Sequence, residues 1–382
     1  MKIRLLYDLV STQPIGQTMR HGGGIYGEIV LRKLVSLGYK FSCLYDSRRW
    51  LNPDIKDLCL SSDIKLLDVA DHSVDEWVEI EGFPVLYCPV DYRLSNKTRS
   101  ISTIHGLRRI EMPNDWMQLR YRNSLRELIY FVPRMLLGKY WKNAKIRRMY
   151  KEISGEDFKF VTVSKHSMYA FLSYFPHLSR GDFQCFYSPS TIGMRKEPHC
   201  CEQKYFLLVS ANRWEKNNLR ALMALDELFF EREEFLNYKA IVTGVESLSY
   251  FKYKFRNPEK FQCVGYVDDE TLASFFAGCY CLVYPSLNEG FGYPPLEAMY
   301  YGKVVVASAI TSITEVCGNA AVYFNPFDYL EIKNRLLMVM DENEYSLYSK
   351  RSVERCSIVT KKQNADLEAL AKWIALECER WD

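Results

Sequence analysis

Short apolar runs closed by glycine or polar turns recur along the chain with helical patterns between most of them, and this alternation restricts the fold more than any other feature. A run of four to eight apolar residues without in–out alternation reads as a strand buried on both faces. The helical stretches between such runs supply the long crossovers that parallel strands require. The predicted strands of the amino-terminal half are residues 2–10, 40–45, 85–88, 100–104, 159–164 and 182–187, and those of the carboxyl-terminal half are residues 205–210, 239–243, 261–263, 279–284, 304–307 and 321–324. An α/β protein with parallel sheets is therefore expected. At 382 residues the chain exceeds the size of one ordinary core. Residues 188–203 carry two prolines, the adjacent Cys200 and Cys201 and no periodicity, and they separate the two sets of strands. The expected division is an amino-terminal domain over residues 1–190 and a carboxyl-terminal domain over 200–362. After Lys361, the spacing of Leu367, Leu370, Ala371, Ile374 and Leu376 predicts an amphipathic helix over 363–382, free to pack back on the first domain.

With 48% hydrophobic and 25% charged residues, disorder is excluded and two cores are affordable. The twelve cysteines stand mostly singly and form no Cys-x-x-Cys, the usage of a cytoplasmic protein with reduced thiols. Residues 1–8 are charged at Lys2 and Arg4 and read as a first strand, not as a secretory signal. The most apolar stretch, residues 128–138, is broken by Pro133 and Arg134, so no membrane-spanning helix is expected.

Residues 279–299 run from a buried strand through a glycine loop into a helix. Gly290 and Gly292 allow a tight turn and close approach of a ligand, and Pro294 or Pro295 suits a first helical turn. Such a helix start favours a phosphate, with Glu289 before the turn and Glu297 in the first turn, where a carboxylate accepts hydrogen bonds from vicinal hydroxyls such as those of ribose. Read alone, the stretch is equally an ordinary turn and helix start. A second strand end, residues 211–220, carries Arg213 and Lys216, which are either solvated surface cations or a diphosphate clamp, because open α/β sheets bind ligands at the carboxyl ends of their strands. Gly22, Gly23 and Gly24 follow the first strand, although the Gly-x-Gly-x-x-Gly register is not met. His105 and the Ser164-Lys165-His166 run also sit at strand ends.

On these residues the second half resembles the retaining glycosyltransferases of the GT-B fold, the glycosyl transferases group 1 or family 4. The resemblance rests on the Glu289-Gly290-Phe291-Gly292 to Glu297 segment, Lys216-Asn217, the Val264-Gly265-Tyr266 run, residues 302–308 and residues 315–321. It implies two Rossmann-like domains facing each other across a donor cleft. It further implies that Glu289 holds the donor sugar, that the Gly290-Phe291-Gly292 loop and Asn217 line the donor site, and that Glu297 holds the ribose. Arg213 and Lys216 would take the diphosphate, Gly23 or Gly24 a phosphate, and His105 would lie near the transferred sugar. Two departures stand out. Ala211 occupies the place where many relatives carry an arginine, and Gly106 follows His105 where an aspartate is usual.

The implied reaction is retaining transfer of a sugar from a UDP- or GDP-sugar to a glycan or lipid-linked saccharide, as in the assembly of O-antigen, capsule or exopolysaccharide. The departing phosphate would take the acceptor proton, and neither a cofactor nor a metal is expected; no Asp-x-Asp occurs in the chain. Between Arg108 and Lys151, twelve Arg or Lys face only Glu111, Asp115 and Glu127, a local charge of +9 in a chain of net +3. Aromatic residues are interleaved. Arg108, Arg109, Arg134, Trp141, Arg147 and Arg148 are accordingly assigned to an acceptor or an anionic membrane surface, giving a cytoplasmic protein with peripheral attachment to the inner face of the membrane. The alternative is a nucleic-acid- or membrane-binding protein with a non-catalytic sugar-nucleotide sensor site. The Glu289/Glu297 pair argues against nucleic acid as the partner.

Overall fold

The computed structural model describes residues 2–14, 22–82, 84–90, 95, 97–112, 114–121, 125–153, 157–193, 197–199 and 203–380. Thirteen described strands form two all-parallel sheets. The first contains β1 (Lys2–Asp8), β2 (Lys40–Tyr45), β3 (Lys65–Asp68), β4 (Val85–Cys88), β5 (Ser100–Ile104), β6 (Phe158–Thr162) and β7 (Phe183–Cys185), in the order β3-β2-β1-β4-β5-β6-β7. The second contains β8 (Lys204–Leu208), β9 (Tyr238–Val242), β10 (Phe261–Cys263), β11 (Cys281–Tyr284), β12 (Val304–Ser308) and β13 (Ala321–Phe324), in the order β10-β9-β8-β11-β12-β13. Each sheet steps outward from its first strand, reverses, and continues on the other side. The reversals, β1/β4 and β8/β11, are the switch points at which doubly wound sheets open a crevice above their strand ends.

Every predicted strand is present, displaced by no more than two residues at either end. The addition is β3, whose Lys-Leu-Leu-Asp sequence has too short an apolar run to register as a buried strand and which lies at a sheet edge. The ten described cysteines are free thiols. Among the described residues, no helix is long and apolar enough to cross a membrane.

The chain divides into two compact units. One comprises residues 1–107, 145–191 and 360–382, and the other residues 108–144 and 192–359. The change at 191/192 falls inside the expected linker. Residues 108–144, assigned from the sequence to the first domain, group with the second unit. Their attachments explain why: the Tyr121 hydroxyl accepts the Leu219 amide at 2.8 Å, the Arg120 carbonyl accepts the Lys252 amide at 2.8 Å, and Arg220 clasps Asp115 at 2.6 and 3.0 Å. The final helix, Glu342–Arg380, begins well before Lys361. Its last part belongs to the first unit, where Leu370, Ala371 and Ile374 are buried while Leu376 is exposed. There Asp366 accepts the Tyr187 amide and Gln363 donates to the Ser188 carbonyl.

In the second unit, Phe206, Leu222, Leu225, Phe235, Val283 and Val306 are fully buried where the helix Asn218–Glu231 covers the sheet. In the first unit, the helix Gly22–Ser36 approaches the ends of β1 and β4 so closely that a Cβ on Gly27 would lie 2.5 Å from Thr12 Cγ2 and 3.1 Å from Pro89 Cγ. The Tyr7 hydroxyl donates to the Gly27 carbonyl at 2.7 Å. The expected outcome for Gly27→Ala is a loss of about 1–3 kcal/mol from overpacking. Adding Thr12→Ser, which removes the clashing methyl and keeps the hydroxyl bond to the Leu9 carbonyl, should recover part of that loss in denaturant unfolding.

Candidate active site

The carboxyl ends of β8 and β11 flank the switch point of the second sheet, and the loops that leave them carry Arg213, Glu215, Lys216 and Glu289. After β8 the chain makes a short 3-10 turn, Trp214–Lys216, and enters the helix Asn218–Glu231 through Asn217, which has the left-handed φ of 56°. Asn217 and its neighbours hold that bend. Its Nδ2 donates to the Pro326 carbonyl at 2.7 Å and its Oδ1 accepts from Arg220 at 2.7 Å. Both polar atoms of Asn217 thus make a bond within the fold, and the residue shapes the turn that presents Lys216.

Lys216 and Glu289, expected from the sequence to grip different parts of a donor, pair with each other in the structure. Lys216 Nζ lies 2.5 Å from Glu289 Oε1, and both side chains are buried. The same oxygen accepts from the Tyr284 hydroxyl at 2.6 Å and the Ser286 hydroxyl at 2.6 Å. Three donors on one oxygen leave Oε2 turned toward Arg108, whose Nη2 is 3.8 Å away. Burial alone would raise the Glu289 carboxyl, but Lys216, Arg108 and the hydrogen bonds from Lys216 and Ser286 overcome it and hold the group down at about 2. Burial, reinforced by Arg213 and Arg108, pulls the Lys216 ammonium below its usual value in spite of Glu289. Burial and the Glu289 charge push the Tyr284 phenol up, which keeps its proton available for donation.

Glu215 organises the outer half of the cluster. Its Oε1 accepts from Arg213 Nη2 at 2.7 Å and Nε at 2.9 Å, and Arg108 Nη1 lies 3.6 Å from it. Burial opposes its charge, yet Arg213 and Arg108 hold it below the usual carboxylate value. Three cations, Arg108, Arg213 and Lys216, thus converge with two carboxylates. The cluster carries net positive charge at a strand-end crevice, the condition for receiving an anion.

A third strand end secures the glycine loop. Thr311 accepts the Glu289 amide at 3.2 Å, and the Ser312 hydroxyl donates to the Glu289 and Phe291 carbonyls at 2.9 and 3.0 Å. Thr311 has φ 49°, a left-handed conformation that a β-branched residue adopts only under constraint. Phe291 is buried beside Gly290, and Gly292, with φ 100°, caps the helix Tyr293–Tyr300. Two expectations need correction here. Pro294 and Pro295 occupy the first turn and lack N–H groups, so this helix start offers fewer amides to a phosphate than its position suggests. Glu297 is half-buried and stands one residue beyond the first turn.

The other predicted residues are distributed differently. In the first unit Gly23 and Gly24 lie in the first turn of the helix Gly22–Ser36, Gly23 half-buried and Gly24 buried. His105 follows β5. Its Nε2 is 2.8 Å from the Pro89 carbonyl, so Nε2 carries the proton, and its ring meets Tyr26 edge-on with centroids 4.8 Å apart. Below it the buried hydroxyls of Tyr26, Tyr87 and Thr103 lie within 2.8 to 3.4 Å of one another. Arg134, Trp141, Arg147 and Arg148 are exposed on the helices Leu125–Leu136 and Gly138–Glu152. The Arg109 side chain lies outside the described residues. Sequence reasoning missed Glu215, Tyr284 and Ser286, although Glu215 stands between the two cations it did single out. It also assigned Arg108 to a surface role.

Depressed acidity of Glu289 has a definite sign for stability. Its carboxyl titrates near 4.5 when unperturbed and at about 2 in the fold, so its contribution is complete above 4.5 and disappears as pH falls toward 2. That contribution is worth about 3 kcal/mol by linkage. Denaturant midpoints measured between pH 7 and pH 2 should therefore fall less steeply below pH 4.5 for Glu289→Gln than for the unsubstituted protein.

The family model described as "Glycosyl transferases group 1" matches residues 193–353. Among curated relatives, the O-antigen chain mannosyltransferase B of Escherichia coli is 42% identical over 82 residues, 22% of each chain. The O-antigen chain mannosyltransferase RfbU of Salmonella typhimurium strain LT2 is 30% identical over 127 residues, 33% of this chain and 36% of its own. The serotype-specific mannosyltransferase WbdA of Escherichia coli is 45% identical over 69 residues, which are 18% of this chain and 8% of that one. The matches therefore span well under half of each of these relatives. Whole-chain likeness is found among solved structures of the GT-B fold. WaaG, a glycosyltransferase involved in lipopolysaccharide biosynthesis, superposes with a TM-score of 0.62 at 14% identity, covering 97% of this chain and 98% of that one. Anabaena HepE, solved in complex with UDP-glucose, does so with a TM-score of 0.64 at 13% identity, covering 97% and 100%. The two parallel doubly wound sheets are of GT-B type, and residues 193–353, which include Lys216, Glu289 and Glu297, are similar to the group 1 glycosyl transferases.

Proposed function

We propose that the protein is a retaining glycosyltransferase of family 4 that moves a sugar from a nucleoside-diphosphate sugar to a saccharide or lipid-linked saccharide during assembly of a surface polysaccharide. The observation that carries the reading is the buried Lys216–Glu289 pair at the β8/β11 switch point, ringed by Arg213 and Arg108. Departure of a nucleoside diphosphate from an anomeric carbon builds negative charge on the leaving oxygens, and fixed cations in a water-poor site stabilise that charge without reorganising. Lys216 and Arg213 serve this purpose, Glu289 Oε2 accepts hydroxyls of the donor sugar, and Glu297 accepts those of the ribose. The departing phosphate oxygen takes the acceptor proton, so the new glycosidic bond forms on the face from which the leaving group departs. No metal ion is called on. In the first unit, His105, held by its Nε2 on the Pro89 carbonyl, is the residue proposed to lie near the transferred sugar. Since the relatives are named as mannosyltransferases, mannose is the first sugar to try, and the nucleotide is either GDP or UDP.

Calorimetry with UDP, GDP, dTDP and ADP in the presence of a chelator should find one nucleotide bound. Glu297→Ala and Lys216→Ala should each weaken it about tenfold or more, as expected for loss of a hydrogen bond to a charged group. The matching sugar nucleotide should then be turned over with lipid-linked saccharide acceptors. If the folded protein binds none of the four, the reading is wrong.

We also propose that residues 125–141 rest on an anionic membrane surface. Ile129, Val132 and Leu136 recur at helical spacing on one face of the helix Leu125–Leu136 and are exposed, at 69% for Ile129 and 72% for Leu136. Phe131 points inward against Trp116. Leu137, Tyr140 and Trp141 extend the exposed apolar face into the next helix, and Arg134 and Lys139 stand exposed beside them. An apolar face bordered by cations fits the interface of acidic lipids. Liposomes containing acidic phospholipid should carry the protein upward in flotation at low salt. Leu136→Ser with Trp141→Ala should reduce the floated fraction severalfold, and absence of flotation by the unsubstituted protein would refute the assignment.

A further inference from the structure

Arg108 does not behave as a surface cation. It opens the segment 108–144, which is fastened to the second unit at several points. Asn288, next to Glu289, donates to Glu111 at 3.1 Å, and Asp115 and Tyr121 make the further attachments to Arg220 and Leu219 described above. These bonds fix the chain that follows Arg108, from the end of the short helix Arg108–Glu111 onward. Among the described residues the Arg108 guanidinium nevertheless has only distant ion-pair partners. Glu215 Oε1 is already held by two bonds from Arg213, and Glu289 Oε1 by three donors, so Arg108 stands at ion-pair distances of 3.6 and 3.8 Å from the two carboxylates. Its Nε is buried with no hydrogen-bond partner. A buried donor left unbonded is costly, and native structures rarely leave one without a reason. Charge gives the same indication. With Arg108 the cluster holds three cations and two carboxylates, and without it the two signs cancel.

We propose that Arg108 is a third cation of the diphosphate site, and that its guanidinium, with the buried Nε left unbonded among the described residues, receives the phosphate oxygens of the incoming donor. The inference rests on the glycosyltransferase reading for the identity of the ligand, but only on the charge cluster for the existence of an anion site. Arginine suits the position because its planar fork spans two oxygens at once. Glu215 keeps Arg213 and Arg108 side by side until the anion arrives, and the segment 108–144 is thereby an integral part of the donor unit.

The test uses the full chain, with Arg108→Ala and Arg108→Lys, and calorimetric titration with inorganic pyrophosphate, with the preferred nucleoside diphosphate and with its monophosphate. Thermal unfolding of each variant serves as a folding check. The expected result is that Arg108→Ala weakens pyrophosphate and the nucleoside diphosphate by about 10- to 100-fold, the loss of a charge-assisted hydrogen bond, and changes the monophosphate less than threefold. Arg108→Lys should fall between the two. Unchanged diphosphate and pyrophosphate affinity in either folded variant, or equal loss for all three ligands, would overturn the inference. Arg108-dependent binding of pyrophosphate with no binding of any nucleotide would keep the anion site and discard the glycosyltransferase reading. If the unsubstituted protein binds neither, both fall together.

Discussion

A single carboxylate oxygen organises the second unit. Glu289 Oε1 receives Lys216 from the loop after β8 and Tyr284 and Ser286 from β11 and the loop that follows it, which ties together the two strand ends where the sheet reverses. A carboxylate at such a depth is strongly disfavoured unless its lone pairs are met. Removing any of the three donors leaves the others holding an under-compensated charge, so the loops behave as one unit. The β12 end is drawn in by Thr311 and Ser312, which grip the backbone on either side of Glu289. Strained backbone at Thr311 is tolerated because the hydrogen bond to the Glu289 amide fixes it there.

The two sheets share one winding order but furnish their strand ends with different chemistry. Around the ends of β1, β4 and β5 the buried polar groups are the hydroxyls of Tyr26, Tyr87 and Thr103, with His105 beside them, and a single carboxyl, Asp8, which burial pushes up to about 6. Above β8 and β11 they are full charges. Neutral hydroxyl networks are suited to sugar-like hydroxyls and tolerate small shifts in position. Paired charges recognise an anion and are stiff, since any displacement uncovers an ion.

Most of the architecture was legible because buried parallel strands such as β4, β11 and β12 write themselves as apolar runs, and twelve of the thirteen strands were placed, among them β7 and β10, each interrupted by an exposed glutamine. β3 escaped because Lys65 and Asp68 bracket only two leucines at a sheet edge, where half of the hydrogen-bonding row meets no partner. In the site, Lys216 and Glu289 were legible from motif wording, since each lies beside a turn residue with constrained backbone. Their mutual pairing was not, because ion pairs between residues 73 apart in sequence are decided by sheet order. The approach of Arg108 to Glu215 and Glu289 was hidden for the same reason. Arg108 belongs to a strongly basic stretch, and composition favours a common surface role for all its members, while the contacts of Glu111, Asp115 and Tyr121 separate it from the exposed residues farther along.

Discontinuity of the second unit bears on how such a protein is cut, exchanged and inherited. A division at residues 190–200 would deliver a carboxyl-terminal fragment with both strand-end loops intact but without residues 108–144. The Leu219 amide and the Arg220 guanidinium would lose the groups that now receive them, and an apolar seam once covered by Tyr121 would be opened to water. The amino-terminal fragment would in turn carry a basic, partly apolar strand of chain with nothing to fold against. Shuffling of the second unit between proteins built this way, in the laboratory or over evolutionary time, must therefore move two separate stretches of gene together, and a chimera joined only at the visible linker inherits an incomplete unit.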